Sequence, residues 1–191
     1  MPNISGPLHQ LGTSLLELFA ALTIIAILTT LALPVFTLLE REEASRVLRQ
    51  FMDLVATARS TAIRLGRPVT LCPVDDQNRC IRNWQTGAML FIDTDENRQR
   101  SNDEMLLSVL RWRDLQGELS WRAFGNRQYL LIDQFGGLTG QNGNLTWCPQ
   151  SNNSEPAHQL VLNGSGRFRF ARDNDGDGLR EDSQGRPLAC S

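Results

Sequence analysis

The feature that constrains this chain most is an uncharged run at residues 18–39, which follows a single carboxylate at Glu17. As a helix that rises about 1.5 Å per residue, the run would measure about 33 Å, enough to cross a hydrocarbon core of about 30 Å. Its leucine, isoleucine, alanine and threonine residues are compatible with a helix, and only Pro34 opposes one, because proline lacks a backbone donor. We therefore predict a membrane-inserted helix that bends at Pro34.

The residues in front of this run form a distinct motif. Gly12 and Thr13 are followed by a Ser-Leu-Leu-Glu sequence that ends at Glu17. This arrangement resembles the processing site of type IV prepilins, in which a dedicated peptidase cuts after the glycine and the new N-terminal residue is methylated. The resemblance implies cleavage between Gly12 and Thr13, with Glu17 as the fifth mature residue and Pro34 at the place of the family's helix-bending proline. Two departures are Thr13, where the family usually has Phe, and a leader (residues 1–12) without Lys or Arg.

The resemblance also implies where the protein works. Pilins insert in the inner membrane by a single helix, hold their head in the periplasm and assemble into a pilus at the cell surface. In the filament, Glu17 would neutralise the N-terminal amine of a neighbouring subunit, so that a buried charge becomes a pair. The implied partners are the prepilin peptidase, the inner membrane, and other major and minor pilins.

The N-terminal segment has two alternative interpretations. One is a secretory signal peptide, which needs a basic start and a cleavage site after its apolar core. The other is a simple membrane anchor, in which the Glu17 carboxylate is costly.

The rest of the chain changes from a helical to a strand period at Gly66. Between residues 40 and 65 the apolar residues follow i, i+3, i+4, i+7 spacing, which predicts an amphipathic continuation of the first helix. Gly66 and Pro68 end this helix. Short runs of period two, separated by Gly, Asn and Asp turns, then predict strands near residues 68–72, 88–92, 105–112, 119–124, 129–132, 145–148, 159–162 and 167–170.

One long helix followed by many short strands predicts an α+β fold, in which the N-terminal helix packs on an antiparallel β-sheet head. Such an arrangement is that of a type IV pilin, as the prepilin resemblance implies. We divide the chain into a leader at residues 1–12, a transmembrane and assembly helix at 13–39, an amphipathic continuation at 40–65, and a β-rich head at 66–191.

The four cysteines favour two disulfides, because their number is even and the chain is predicted to be exported. Cys72 and Cys80 lie on either side of a short turn, so a local bond between them is geometrically easy. Cys190, at the end of a polar tail, would then tie the tail back to Cys148. A zinc site is disfavoured, because the sequence has no Cys-x-x-Cys pair.

Five segments of the head occur in the order that is typical of the GspH/FimT family, although none is specific alone. They are residues 66–72, 84–91, 130–136, 146–148, and 160–163 with 166–169. The head therefore resembles this family, which holds minor type IV pilins and minor pseudopilins of type II secretion. Both are low-abundance subunits of helical filaments, so the resemblance implies one of these two roles.

A Gly-Arg-Phe-Arg sequence begins at Gly166. In a strand, residues i and i+2 point to one face, so Arg167 and Arg169 would form a pair of guanidinium groups while Phe168 turns inward. The sequence resembles the Gly-Arg-x-Arg element of FimT-like minor pilins, which bind DNA in natural transformation, the mark of competence. We expect this pair, extended by Arg172, to contact the backbone of double-stranded DNA without sequence preference. The alternative is that the arginines only solvate an exposed strand, since the formal net charge of −2 gives no global basic field.

Two acidic segments are candidates for calcium loops. The first places Asp173, Asp175 and Asp177 as in the opening of an EF-hand loop, with Glu181 at the ninth position but Gln184 where the bidentate Glu belongs. The alternative is an acidic, glycine-rich turn. A weaker version consists of Asp93, Asp95 and Asn97. We expect no other cofactor.

Enzymatic chemistry has little support in the sequence. His158 is the one histidine of the mature chain, in a loop context of Ser and Asn, and no Ser or Cys has a neighbourhood that would activate a nucleophile. We therefore predict a non-enzymatic minor type IV pilin that binds DNA for uptake. The alternatives are a minor pilin with a purely structural role in pilus assembly, and a GspH-type minor pseudopilin of type II secretion.

Overall fold

The computed structural model of the protein describes residues 14–113, 115–150 and 156–190. Within the first helix, the side chains of residues 30–41 lie outside the description. The predicted cleavage site at Gly12 and Thr13 therefore falls outside the described residues, and so does the side chain of Pro34. The predictions for these residues stay predictions.

A single helix, α1 (Leu15–Leu65), opens the described chain, and this confirms the predicted continuous helix. Ser14 caps its first turn, because its hydroxyl accepts a hydrogen bond from the Glu17 amide at 3.3 Å. At the other end Gly66 takes a positive φ of 61°, and the Arg67 amide donates back to the Ala62 carbonyl at 3.2 Å. A glycine in the left-handed conformation with this backward bond is a Schellman motif, which is why the helix stops there.

The chain divides into two compact units, Met1–Leu38 and Leu39–Ser191. In the first unit Glu17 and the large apolar side chains of residues 15–28 are exposed. Among the described residues, no helix combines the length and the apolar character that a membrane crossing requires.

The described residues of the second unit form eight strands in two four-stranded sheets, with every neighbouring pair antiparallel. The first sheet has the order β3-β2-β1-β5 and the second the order β4-β6-β7-β8. This confirms the predicted α+β class and each predicted strand, to within a few residues at the ends. The strands are β1 (Val69–Pro73), β2 (Gly87–Ile92), β3 (Leu106–Arg111), β4 (Gly117–Ala123), β5 (Leu130–Ile132), β6 (Gly143–Pro149), β7 (His158–Leu162) and β8 (Phe168–Phe170).

The predicted apolar stripe of α1 fills the core of the second unit. Val47, Leu48, Phe51 and Val55 are fully buried and belong to one cluster with inward-facing residues of both sheets. At its centre the Phe51 ring lies 5.6 Å from the Trp84 ring and 5.7 Å from the Trp121 ring. Complete burial of a side chain of this size contributes about 1.5–3 kcal/mol to stability, so this stripe stabilises the packing of helix against sheets.

The two predicted disulfides, Cys72–Cys80 and Cys148–Cys190, are both present. The first closes the short turn after β1, and the second fastens the C-terminal tail to β6. The expectation that His158 lies in a loop is wrong, because β7 begins at this residue and its ring packs edge-on against Trp147 at 5.9 Å.

Candidate nucleic-acid interface

The Gly-Arg-Phe-Arg sequence lies at the hairpin that joins β7 to β8. The side-chain oxygen of Asn163 accepts hydrogen bonds from the amides of Ser165 at 3.1 Å and Arg167 at 2.9 Å. The Asn163 carbonyl also accepts from the Gly166 amide at 2.9 Å. One asparagine thus folds the whole turn, as Asn does in turns generally, and it fixes the backbone from which Arg167 projects.

Arg59 of α1 binds this turn through hydrogen bonds. Its Nε donates to the Gly136 carbonyl at 2.9 Å, and its Nη1 donates to the Gly166 carbonyl at 3.2 Å. Gly166 has a φ of +77°, and a β-carbon there would lie 2.9 Å from the Arg59 guanidinium carbon. The backbone angle therefore favours glycine at this position, and a β-carbon would in addition force the Arg59 guanidinium group to shift. Sequence reasoning missed Arg59, because nothing in a helical pattern shows which distant turn a side chain will reach.

The sequence predicted that the two arginines face outward and that Phe168 faces inward. This alternation is present at Phe168 and Arg169. Phe168 packs against the core, whereas Arg169 is exposed and pairs with Val161 on the outer face of the second sheet. Arg167 precedes the strand and is exposed, and its Nε donates to the Ser165 hydroxyl at 3.2 Å. The two guanidinium groups thus come from one exposed hairpin edge, one from the turn and one from the strand.

The register of the second sheet places another arginine level with Arg169. Cross-strand pairs run from Arg122 on β4 through Asn144 and Val161 to Arg169 on β8. Directly paired residues share a face, and three inter-strand steps of about 4.8 Å separate the outer two by about 14 Å. This row of paired residues from Arg122 to Arg169 was not predicted from the sequence, because it depends on strand order and register.

A groove of about 570 Å³ lies beside this row, between the outer face of the sheet and the disulfide-bound tail. Arg122 and Glu118 line it from β4, and Arg186 and Asp182 line it from the tail. Arg186 and Asp182 form an ion pair at 2.7 Å. The groove therefore carries both signs of charge, and a phosphate backbone has no electrostatic reason to enter it.

Arg172 lies beyond the end of β8, at the base of the acidic loop. Its side chain is exposed, and its carbonyl accepts a hydrogen bond from the Glu181 amide at 3.0 Å. The structure does not put Arg172 on the same strand face as Arg169, and its part in the interface stays a prediction.

The predicted calcium loop brings its acidic residues together. The carboxylates of Asp173, Asp175, Asp177 and Glu181 offer oxygens that lie within 4.8 Å of one another. Asp173 accepts hydrogen bonds from the amides of Gly176 and Gly178, and these bonds lower the pKa of its carboxyl. Glu181 is buried and accepts from the amide of Asn174. The loop's own amides thus satisfy these carboxylates, and calcium binding stays a prediction.

The weaker acidic segment folds around Asp93, which is fully buried. Its carboxylate accepts from the Thr70 hydroxyl at 2.6 Å and from the Arg98 amide at 3.0 Å. Burial nevertheless raises the pKa of Asp93. Asn97 donates to Asp95, so both residues are used inside the loop, and a structural role explains them.

The sequence model of the family described as type II transport protein GspH matches residues 47–166. The chain belongs to the GspH family. This family comprises minor type IV pilins and pseudopilins, which are structural subunits. The match ends at Gly166, so Arg167 and Arg169 lie directly beyond the matched residues.

Solved structures offer further comparisons for this GspH family member. The type IV minor pilin FimU of Pseudomonas aeruginosa (strain PAO1) is 16% identical, with a TM-score of 0.49, over 80% of this chain and 98% of FimU. The minor pseudopilin EpsH from the type 2 secretion system of Vibrio cholerae is 15% identical, with a TM-score of 0.47, over 67% of this chain and 95% of EpsH. No curated protein matches the chain by sequence.

Proposed function

We propose that this GspH family member is a minor pilin that binds double-stranded DNA without sequence preference and serves DNA uptake in natural transformation. Arg167 and Arg169 carry the contact, and each binds a backbone phosphate. With two or three phosphate contacts, the affinity is on the order of micromolar or weaker and falls steeply with salt.

One observation carries the proposal. Arg167 and Arg169 are exposed on a hairpin edge whose backbone is held by Asn163 and by Arg59. A guanidinium group presents a planar fork of donors that matches a phosphate, and a backbone fixed in advance loses less entropy when it binds. The acidic loop downstream works against the contact, but the Asp173 carboxylate is turned onto the amides of Gly176 and Gly178.

A second candidate function is that of a minor pseudopilin in type II secretion. The observation that favours it is the family description itself, which names a type II transport protein. Its partners would be other pseudopilins and exported proteins. A purely structural role in pilus assembly is the third alternative, and neither role requires the hairpin to bind DNA.

The experiment that separates the proposed function from both alternatives is a mobility-shift titration of the full chain in a non-ionic detergent with duplex DNA. We expect the double variant Arg167→Ala/Arg169→Ala to abolish the shift. The matched control is Arg46→Ala/Arg49→Ala, which removes two exposed arginines from α1 and should leave the affinity within about twofold of the parent. An unchanged shift in the hairpin variant would refute the assignment of the contact, and no shift in the parent would refute DNA binding altogether.

A further inference from the structure

A second concentration of arginine lies on the first sheet, far in sequence from the hairpin. Beside the Cys72–Cys80 disulfide is a cleft of about 420 Å³ whose walls come from three separate loops. Each loop contributes one arginine to the lining. They are Arg82 after the disulfide, Arg98 in the segment between β2 and β3, and Arg127 between β4 and β5.

The charge of this cleft is of one sign. Among the described residues that line it, none is aspartate or glutamate, and the other polar members are neutral amides and a tyrosine. No ion pair joins Arg82, Arg98 or Arg127 to a carboxylate within the described part of the chain. In a protein with a formal net charge of −2, three guanidinium groups without a counter-ion attract an anion.

The described contacts of Arg82 and Arg98 leave donors of both guanidinium groups available. Arg82 uses Nη2 on the Asn126 carbonyl at 3.3 Å. The Arg98 guanidinium lies 5.6 Å from the centre of the Tyr129 ring, an arrangement that holds its position through the ring face and leaves its N–H edges open. Because a ring and not a carboxylate positions this guanidinium group, its charge is not neutralised by a counter-ion and can attract an anionic ligand.

The backbone beside the cleft has an uncommon conformation at Arg98. Its φ of +64° lies in the left-handed region that few residues other than glycine adopt, whereas Asn126, with a φ of +54°, is of a type that tolerates this region. Buried Asp93 holds the Arg98 amide in place. A strained backbone conformation of this kind lowers the stability of the folded state. Such conformations cluster at ligand sites.

We infer that this cleft binds a phosphate group. Three guanidinium groups match a phosphate better than a carboxylate, because a phosphate offers three or more acceptor oxygens and up to two negative charges. The phosphate can be free or part of a nucleic-acid backbone, and the chemistry of recognition is the same. This inference does not rest on DNA binding by the hairpin, since the two surfaces share no residue.

The test is an NMR titration of the isotope-labelled full chain in a non-ionic detergent, with sodium phosphate against sodium chloride at matched ionic strength. We expect saturable shifts at the amides of Arg82, Arg98 and Arg127 with phosphate and none with chloride. The triple variant Arg82→Gln/Arg98→Gln/Arg127→Gln should lower the phosphate affinity about tenfold or more, whereas Arg49→Gln on α1 should not change it.

Because the triple variant changes a loop residue with unusual backbone geometry, Arg82→Gln alone serves as the milder variant, with an expected loss of phosphate affinity of about threefold or more.

A second arm replaces phosphate with a DNA duplex. If the same amides shift with the duplex, the ligand is a nucleic-acid backbone. If they shift with phosphate but not with the duplex, the ligand is a free phosphate. The hairpin variant Arg167→Ala/Arg169→Ala should keep the phosphate response, so failure of DNA binding at the hairpin leaves this result unchanged. Absence of saturable shifts in the parent, or an unchanged affinity in both cleft variants, would overturn the inference.

Discussion

The guanidinium group of Arg59 lies so close to Gly166 that a β-carbon at position 166 would force the guanidinium group to shift. Nη1 donates to the Gly166 carbonyl at 3.2 Å, and the space that a β-carbon would need lies 2.9 Å from the guanidinium carbon. The helix thus fixes the glycine that precedes the arginine pair. The pair is therefore positioned by a residue more than a hundred positions earlier in the chain.

Replacement of Gly166 by alanine should destabilise the hairpin. The positive φ of +77° and the contact with Arg59 both oppose a β-carbon, so we expect a loss of about 1–3 kcal/mol in the free energy of unfolding. The control is Gly164→Ala in the same turn, where the nearest atom to a β-carbon is the Gln141 carbonyl oxygen at 3.9 Å. Urea denaturation measures both, and equal stability of the two variants would contradict the proposed packing.

Replacement of Arg59 by methionine should loosen two turns at once. Its hydrogen bonds to Gly136 and Gly166 would be lost, at a cost of about 1–3 kcal/mol. Methionine keeps much of the side-chain volume, so the effect isolates the donors. Hydrogen exchange of the Gly166 amide should accelerate in this variant and not in Arg64→Met, which removes an exposed arginine at the end of α1. Unchanged exchange at Gly166 would show that the turn does not depend on Arg59.

Local sequence signals predicted the framework well, since each depends on neighbours in the chain. The apolar spacing in residues 40–65 predicted the stripe that contains Phe51, and Gly66 marked the helix end because only a residue tolerant of positive φ closes a Schellman motif. The period of two predicted every strand. The cysteine positions led to both disulfides, including the long one from Cys148 to Cys190.

Features that depend on distant parts of the chain were not predicted. The division into two sheets, the row from Arg122 to Arg169, and the bond from Arg59 to Gly166 all follow from strand order and register, which a single sequence does not contain. The arginine cleft was missed for the same reason, because its three loops are separated by long stretches of sequence. His158 was misjudged because its loop-like neighbours hid the start of β7.

Removal of the disulfide between Cys148 and Cys190 should release the tail from the second sheet. The two cysteines are 42 residues apart, and a chain-entropy estimate for a loop of this size gives a loss of about 4 kcal/mol in the free energy of unfolding. The variant is Cys148→Ser/Cys190→Ser, and limited proteolysis should cut it within residues 182–190 before the rest of the head. A tail that resists proteolysis as well as the parent would show that its packing on the sheet suffices without the bond.

The carboxyls of Asp173 and Asp93 should titrate on opposite sides of the ordinary value of 3.8. Hydrogen bonds from Gly176 and Gly178 lower the pKa of Asp173, whereas burial raises the pKa of Asp93. Carbon-detected NMR of the side-chain carboxyls measures both midpoints. The reverse order of the two midpoints would contradict the described environments.

These shifts have opposite effects on stability as the pH changes. The contribution of Asp173 is fully present above its unfolded pKa and is lost as the pH falls through its lower folded value. The contribution of Asp93 is present below its unfolded pKa and is lost as the pH rises through its higher folded value. The variant Asp173→Asn should therefore weaken the loss of stability on acidification just below pH 3.8.

The most direct test of phosphate contact by the hairpin is the salt dependence of duplex binding. Each phosphate contact contributes about −0.9 to the slope of the logarithm of the affinity against the logarithm of the salt concentration. Arg167→Ala and Arg169→Ala should each make the slope shallower by about 0.9, and Arg49→Ala should leave it unchanged. Slopes in both hairpin variants that equal the parent slope would contradict the account, because the arginines would then touch no phosphate.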